Sequence, residues 1–283
     1  MGVMSAAALL IVALCCLAVG LTRDPSLIAF VSIACGSIAL LAAASLGLWA
    51  YGAASLRYSL TPTAVVIHWL GSAEVVPLSD LDGVFSGLRL GSIGKIRGIR
   101  RPGYVVGAGR HDNREVLFRT TSLDPQDLTL LVTEHREYAI SPQEPAVFRQ
   151  EVIQRVEQGG GVLPVARSSP LRAAAVAMSD PVSVALLVVG LVLALAVLGQ
   201  YMVGFERLPL ETALHFGSDG APDVTGPRNA LVQIPLLALG GWLVGAVLGL
   251  AVSQRSGGAA HLLWLGTAAA QIVLLVAVLR LVP

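Results

Sequence analysis

Met4 to Thr22 reads MSAAALLIVALCCLAVGLT, Ser26 to Tyr51 reads SLIAFVSIACGSIALLAAASLGLWAY, and only Arg23-Asp24-Pro25 separates them. An α-helix rises 1.5 Å per residue, so about 20 apolar residues cross about 30 Å of hydrocarbon. Each run meets that length, and neither carries Lys, Arg, Asp or Glu in its interior. A signal peptide would show a basic start and a shorter apolar run. The pair therefore predicts a transmembrane helical hairpin over residues 1–54, retained in the mature protein.

Three more windows of this kind follow: Pro181 to Phe205, Ala230 to Val252 and Ala260 to Leu279. They predict three further spans in 181–283, with a loop over 206–229. The charge is distributed to match. Only 13% of the 283 residues are charged, where soluble domains carry about a quarter. Yet 14 of the 19 Lys+Arg and 12 of the 18 Asp+Glu fall between Tyr51 and Ser179. A normally charged insert inside a nearly charge-free background describes a soluble domain between membrane segments.

Cysteines 15, 16 and 35 all lie in apolar runs and read as small hydrophobes. With no CxxC or Cys/His metal spacing, no cofactor or metal is expected. A net charge of +1 makes no case for nucleic acid as a partner.

Within the insert the pattern turns to short strand-like runs: 57–60, 64–70, 75–78, 83–85, 104–106, 114–120, 128–133 and 138–140. Ser141-Pro142-Gln143-Glu144 then reads as a helix start, with Ser at the N-cap, Pro at N1 and Glu at N3. Phe148, Val152 and Val156, with Ile153 beside them, form an apolar stripe at helical spacing. Strands closed by one amphipathic helix predict a small β-barrel of the pleckstrin-homology kind. Gly103-Tyr104-Val-Val-Gly107, Val116-Leu-Phe-Arg-Thr120 and Tyr138-Ala-Ile-Ser-Pro142 followed by Phe148 resemble the bacterial pleckstrin-homology domains of membrane proteins. The resemblance covers residues 55–157 and implies a fold and an interaction role, with no catalytic residues. The stretch 158–180, which opens on Gln158 and three glycines, reads as a linker by composition.

Two features stand out as candidate sites. Between 89 and 114, Arg89, Lys95, Arg97, Arg100, Arg101, Arg110 and Arg114 face Asp112 alone, a local net of +6. Such a cluster reads as a solvated basic loop or as a contact for anionic lipid or an acidic partner. In phosphoinositide-binding relatives the basic motif lies in the first hairpin; here that turn is only Thr61-Pro62-Thr63, so such a pocket is not expected there. The second is the loop 206–229. Its Leu208-Pro209, His215-Phe216, Gly220, Pro222-Asp223 and Arg228 resemble a domain of unknown function found in immunity proteins against sporulation-delaying toxins. Gly217, Gly220 and Pro222 oppose a helix, and the loop reads as a tight, turn-rich cap.

Positive charge sets the orientation. Residues 52–180 and 253–259 hold most of the basic residues, with Arg57, Arg167 and Arg172 flanking the insert, which predicts a cytoplasmic insert and N-terminus and an outer C-terminus. The intramembrane polar residues Gln200, Gln233, Gln271 and His261 are expected to link helices. With no nucleophile elbow, P-loop or paired carboxylates, a non-enzymatic protein is predicted. Its partners would be membrane lipids and another membrane protein or complex, in an accessory or assembly role. The alternative is a transporter-like or toxin-immunity protein acting through the outer loop and last three spans.

Overall fold

The computed structural model describes residues 2–91, 95–112, 114–158, 162–216 and 222–282. Its α-helices, in chain order, are α1 (Gly2–Thr22), α2 (Leu27–Ser55), α3 (Pro145–Gln158), α4 (Pro170–Ala177), α5 (Pro181–Gly204), α6 (Gln233–Ser253) and α7 (Gly257–Leu281). Among the described residues, five helices are long and apolar enough to cross a membrane: α1, α2, α5, α6 and α7. The chain divides into two units, Met1–Leu46 with Pro181–Pro283, and Gly47–Asp180.

In the first unit, small residues let helices meet closely. A Cβ on Gly36 of α2 would lie 2.8 Å from the Leu17 side chain of α1. The core joins Ala29 and Ile33 of α2, Ala194 and Val197 of α5, Ala238 of α6 and Val278 of α7. Gln271 Nε2 donates to the Ala238 carbonyl at 2.8 Å and Trp242 Nε1 to the Leu187 carbonyl at 3.0 Å, so polar groups link neighbouring helices. Such bonds contribute about 0.6 kcal/mol each. Large apolar side chains such as Ile11, Leu243 and Leu262 stay exposed, the surface that lipid would cover.

Among its described residues the second unit holds nine strands: β1 (Arg57–Leu60), β2 (Ala64–Trp69), β3 (Ser72–Pro77), β4 (Leu81–Ser86), β5 (Arg97–Arg101), β6 (Tyr104–His111), β7 (Arg114–Thr120), β8 (Thr129–Thr133) and β9 (Glu137–Ile140). They form two sheets, of order β1-β2-β3 and β4-β8-β9-β7-β6-β5. The expected closed barrel is corrected here, because the sheets do not join. Pro77 ends β3 and a 3₁₀ turn, Leu78–Asp80, separates it from β4. Proline offers no amide to continue a ladder. Among the described residues, the one strand that β3 pairs with is β2, and β4 pairs with β8 alone.

The facing sheets are held by side chains instead. Along β1 and β2 alternate residues point inward: Tyr58, Leu60, Val65 and Ile67 join Val76, Leu131 and Ile140 in one core. Helix α3 closes that core with Val152, fully buried, and Phe148, half-buried; Ile153 and Val156 remain exposed. The helix begins at Pro145, later than expected, with the Phe148 amide donating to the Glu144 carbonyl. Ser141 does not cap it. Its hydroxyl accepts the Thr121 amide at 2.8 Å, clipping the end of β9 to the end of β7.

Candidate functional site

The basic residues expected in a loop lie largely on strands. Arg97, Arg100 and Arg101 occupy β5, an edge strand paired only with β6 among the described residues. Composition hides this strand, because Arg and Gly are poor β-formers. What permits it is a glycine pair. Gly98 opposes Gly107 in register, its φ is +151°, and a Cβ there would run into the Val106 carbonyl. Only glycine lets the two backbones approach so closely. Pro102-Gly103 then turns the chain into β6, with Gly103 at φ +70°.

The structure gathers Arg97, Arg100 and Arg101 on this edge, with Lys95 just before it. Arg110 and Arg114 flank the β6–β7 connection, and Arg89 lies in a 3₁₀ turn after β4. All seven are exposed. Arg89 stacks over the Phe85 ring at 4.0 Å, and Arg114 meets Asp82 at 4.0 Å. Lys95, Arg97, Arg100, Arg101 and Arg110 have no ion-pair partner among the described residues. A hollow of about 410 Å³, lined by Arg100, Arg101, Val105 and Leu123, opens beside the edge.

A second cluster of cations was not singled out by the sequence. Glu74 of β3 points into the domain between Arg119 of β7 and Arg172 of α4, with Oε2 at 3.7 Å from Arg119 Nε and 3.6 Å from Arg172 Nη2. Arg119 is 6% exposed, stacks over Trp69 at 4.9 Å and donates to the Phe118 carbonyl. Burial pushes its pKa down, and Glu74 pulls it back up. Burial likewise raises the tyrosines nearby, Tyr104 and Tyr138. A buried guanidinium is tolerable only with a counter-ion and hydrogen bonds, so Glu74 is the residue that makes Arg119 possible.

The same region anchors both ends of the insert. Leu48, Trp49 and Ala53 of α2 and Ala175 of α4 pack around Trp69, Tyr104 and Val106. The Trp69 indole donates to the Tyr104 hydroxyl, and Ser55 Oγ accepts the Leu70 amide at 3.0 Å. Within 158–180, Arg167 exchanges two backbone hydrogen bonds with Ala73, each 3.0 Å, and Ser169 caps α4. That stretch reads as linker by composition, yet these contacts hold its second half against the domain.

The loop 206–229 carries β10 (Glu211–Phe216) and β11 (Pro222–Pro227), an antiparallel pair with a bulge near His215. The turn-rich cap expected there thus contains a hairpin. Its backbone register sets His215 opposite Val224, beside Asp223. Gly220 lies outside the described residues. The Pro209 carbonyl accepts the Thr212 hydroxyl at 3.0 Å, and Arg228 stacks on Phe205 at 4.5 Å while donating to its carbonyl. Arg228 therefore fastens the base of the hairpin.

Residues 56–156 match the family model described as a bacterial PH domain. The match ends before the β10–β11 hairpin. Comparison with curated proteins finds no match, and comparison with solved structures finds none. A PH-like domain set between apolar helices of spanning length is consistent with a membrane-associated protein.

Proposed function

We propose that this is a non-enzymatic, multi-pass membrane protein whose PH-like domain lies on the cytoplasmic side and docks an acidic surface of another membrane protein, as an accessory or assembly subunit. The N-terminus lies inside and the C-terminus outside. One observation carries the reading: Arg97, Arg100 and Arg101 stand exposed and unpaired among the described residues, on a strand edge that still has backbone hydrogen-bonding capacity. Edge strands invite a further strand, and the cations select an acidic one. The test places a photo-crosslinker at Arg100 of the full chain in native membranes. The reading expects a discrete protein adduct that high salt or Arg97→Ser with Arg101→Ser removes. Adducts with lipid alone, or adducts indifferent to those charges, overturn it.

A second reading, an immunity-type protein acting through its outer loop, draws support from the anchored hairpin at 211–227. It predicts that Asp223→Ala abolishes protection against a peptide toxin while leaving the Arg100 adduct intact.

A further inference from the structure

The outward face of the three-stranded sheet carries a different chemistry from the inward one. Register sets Arg57 opposite His68 and Ser59 opposite Val66, and these four alternate with the core residues Tyr58, Val65 and Ile67. Over this face runs the segment 162–167. It is pinned at one end by the Thr63 hydroxyl donating to the Val162 carbonyl at 3.0 Å, and at the other by the paired Ala73 and Arg167 backbones. Between sheet, segment and the last turns of α2, which supply Tyr51, Ala54 and Ser55, lies a cavity of about 640 Å³. Cavities of about 300–1,000 Å³ hold small ligands.

Its lining contains two guanidiniums, Arg57 and Arg167, the His68 imidazole and the Ser59 hydroxyl, and no acidic side chain. Neither guanidinium has an ion-pair partner among the described residues. Uncompensated charge at a cavity wall favours an anion, and the planar guanidinium fork matches phosphate oxygens. Burial and the Arg57 charge both hold the His68 pKa down. His68 Nε2 stands 3.0 Å from Ser59 Oγ, so the pair presents one further polar group to an occupant.

The covering segment supplies Pro164 and Val165 to the lining, and Val165 is 81% exposed. Its neighbours along the segment, Val162 at 93% and Leu163 at 51%, are exposed as well. A cationic cavity beside an exposed apolar segment, lined in part by the end of a helix of spanning length, combines the two preferences of a phospholipid: phosphate on cations, acyl chain on apolar surface.

We propose that this cavity binds the phosphate of an anionic phospholipid headgroup, through Arg57 and Arg167, with Val162, Leu163 and Val165 against the acyl chains. The site shares no residue with the basic edge at β5, so it stands or falls independently of the partner reading. The shared chemistry is a phosphate ester, and the source is settled by the probe. Full-length protein in neutral detergent is titrated with short-chain phosphatidylglycerol, with phosphatidylcholine and with glycerol 3-phosphate, and bound molecules are counted by native mass spectrometry. Phosphatidylglycerol should bind best. Arg57→Gln with Arg167→Gln should weaken it by about tenfold or more, the effect of losing charge-assisted hydrogen bonds. Val165→Ser should weaken the lipid and leave glycerol 3-phosphate unchanged, while Arg97→Ser with Arg100→Ser and Arg101→Ser should alter neither. In the unmodified protein, phosphatidylglycerol should raise the His68 titration midpoint read by NMR. Equal binding of phosphatidylglycerol by the Arg57/Arg167 variant, or an unmoved His68, overturns the site. Glycerol 3-phosphate binding as tightly as the lipid overturns the lipid assignment.

Discussion

Arg100 and Arg119 belong to the same six-stranded sheet and live in opposite environments. Arg100 stands on the edge, exposed, with no ion-pair partner among the described residues; Arg119 lies two strands inward, 6% exposed, held by Glu74 and stacked on Trp69. A solvated cation on an edge contributes little to stability and leaves its charge available to a partner. A buried cation has lost its hydration and depends on one carboxylate brought from another sheet. The same residue type thus serves folding in one place and, on the function proposed above, recognition in the other, and burial decides which.

The sharpest way to break this contrast is Glu74→Ala. It would strand Arg119 and Arg172 without their shared counter-ion, and should cost about 3–5 kcal/mol. Hydrogen exchange at the β7 amides of the full chain reads that loss. A change below about 1 kcal/mol would mean that solvent reaches Arg119. The converse double change, Glu74→Met with Arg119→Met, should recover most of the stability, because an apolar pair needs no desolvated charge.

Next in size is Phe148→Ala on α3. A fully buried aromatic costs about 3–5 kcal/mol when truncated. Phe148 is only half-buried against Val152's core, so about 2 kcal/mol is expected. Exchange protection in α3 should fall while that in β5 hardly changes.

Gly98→Ala tests the edge itself. Its Cβ would meet the Val106 carbonyl at a backbone angle that side chains rarely adopt, so a cost of about 1–3 kcal/mol is expected. The β5–β6 hairpin should loosen locally, and the crosslink at Arg100 should weaken with it. The smallest effect on stability belongs to Arg97→Ser with Arg100→Ser and Arg101→Ser, within about 0.5 kcal/mol. That variant should nonetheless lose its protein adduct.

Much of the architecture was legible because its signals are local. Hydropathy over about 20 residues is enough to mark a span, and Ser26–Tyr51 already anticipates most of α2 (Leu27–Ser55). The alternation in 57–60 and 64–70 likewise marks β1 and β2. Where the signal was ambiguous, the reading slipped. Ser141-Pro142 has the composition of a helix start, yet Thr121, distant in sequence, takes the Ser141 hydroxyl. The strand β5 was hidden by Arg and Gly, and the β10–β11 hairpin by Pro and Gly at its ends. Nothing local marks Glu74, Arg119 and Arg172 as one cluster, since three separate elements bring them together. The cavity behind Arg57 and His68 is equally non-local, because residues 162–167 must fold back over β2 to make it.

The proposed function at the basic edge requires the PH-like domain to face the cytoplasm. The direct measurement is cysteine accessibility in intact cells. Cysteines 15, 16 and 35 are first replaced by alanine, and single cysteines are placed at Glu134 in the domain and at Val224 in the β10–β11 hairpin, both exposed. A membrane-impermeant maleimide should modify Val224→Cys in intact cells and Glu134→Cys only after permeabilisation. Modification of Glu134→Cys in intact cells, with Val224→Cys protected, would contradict the proposed function.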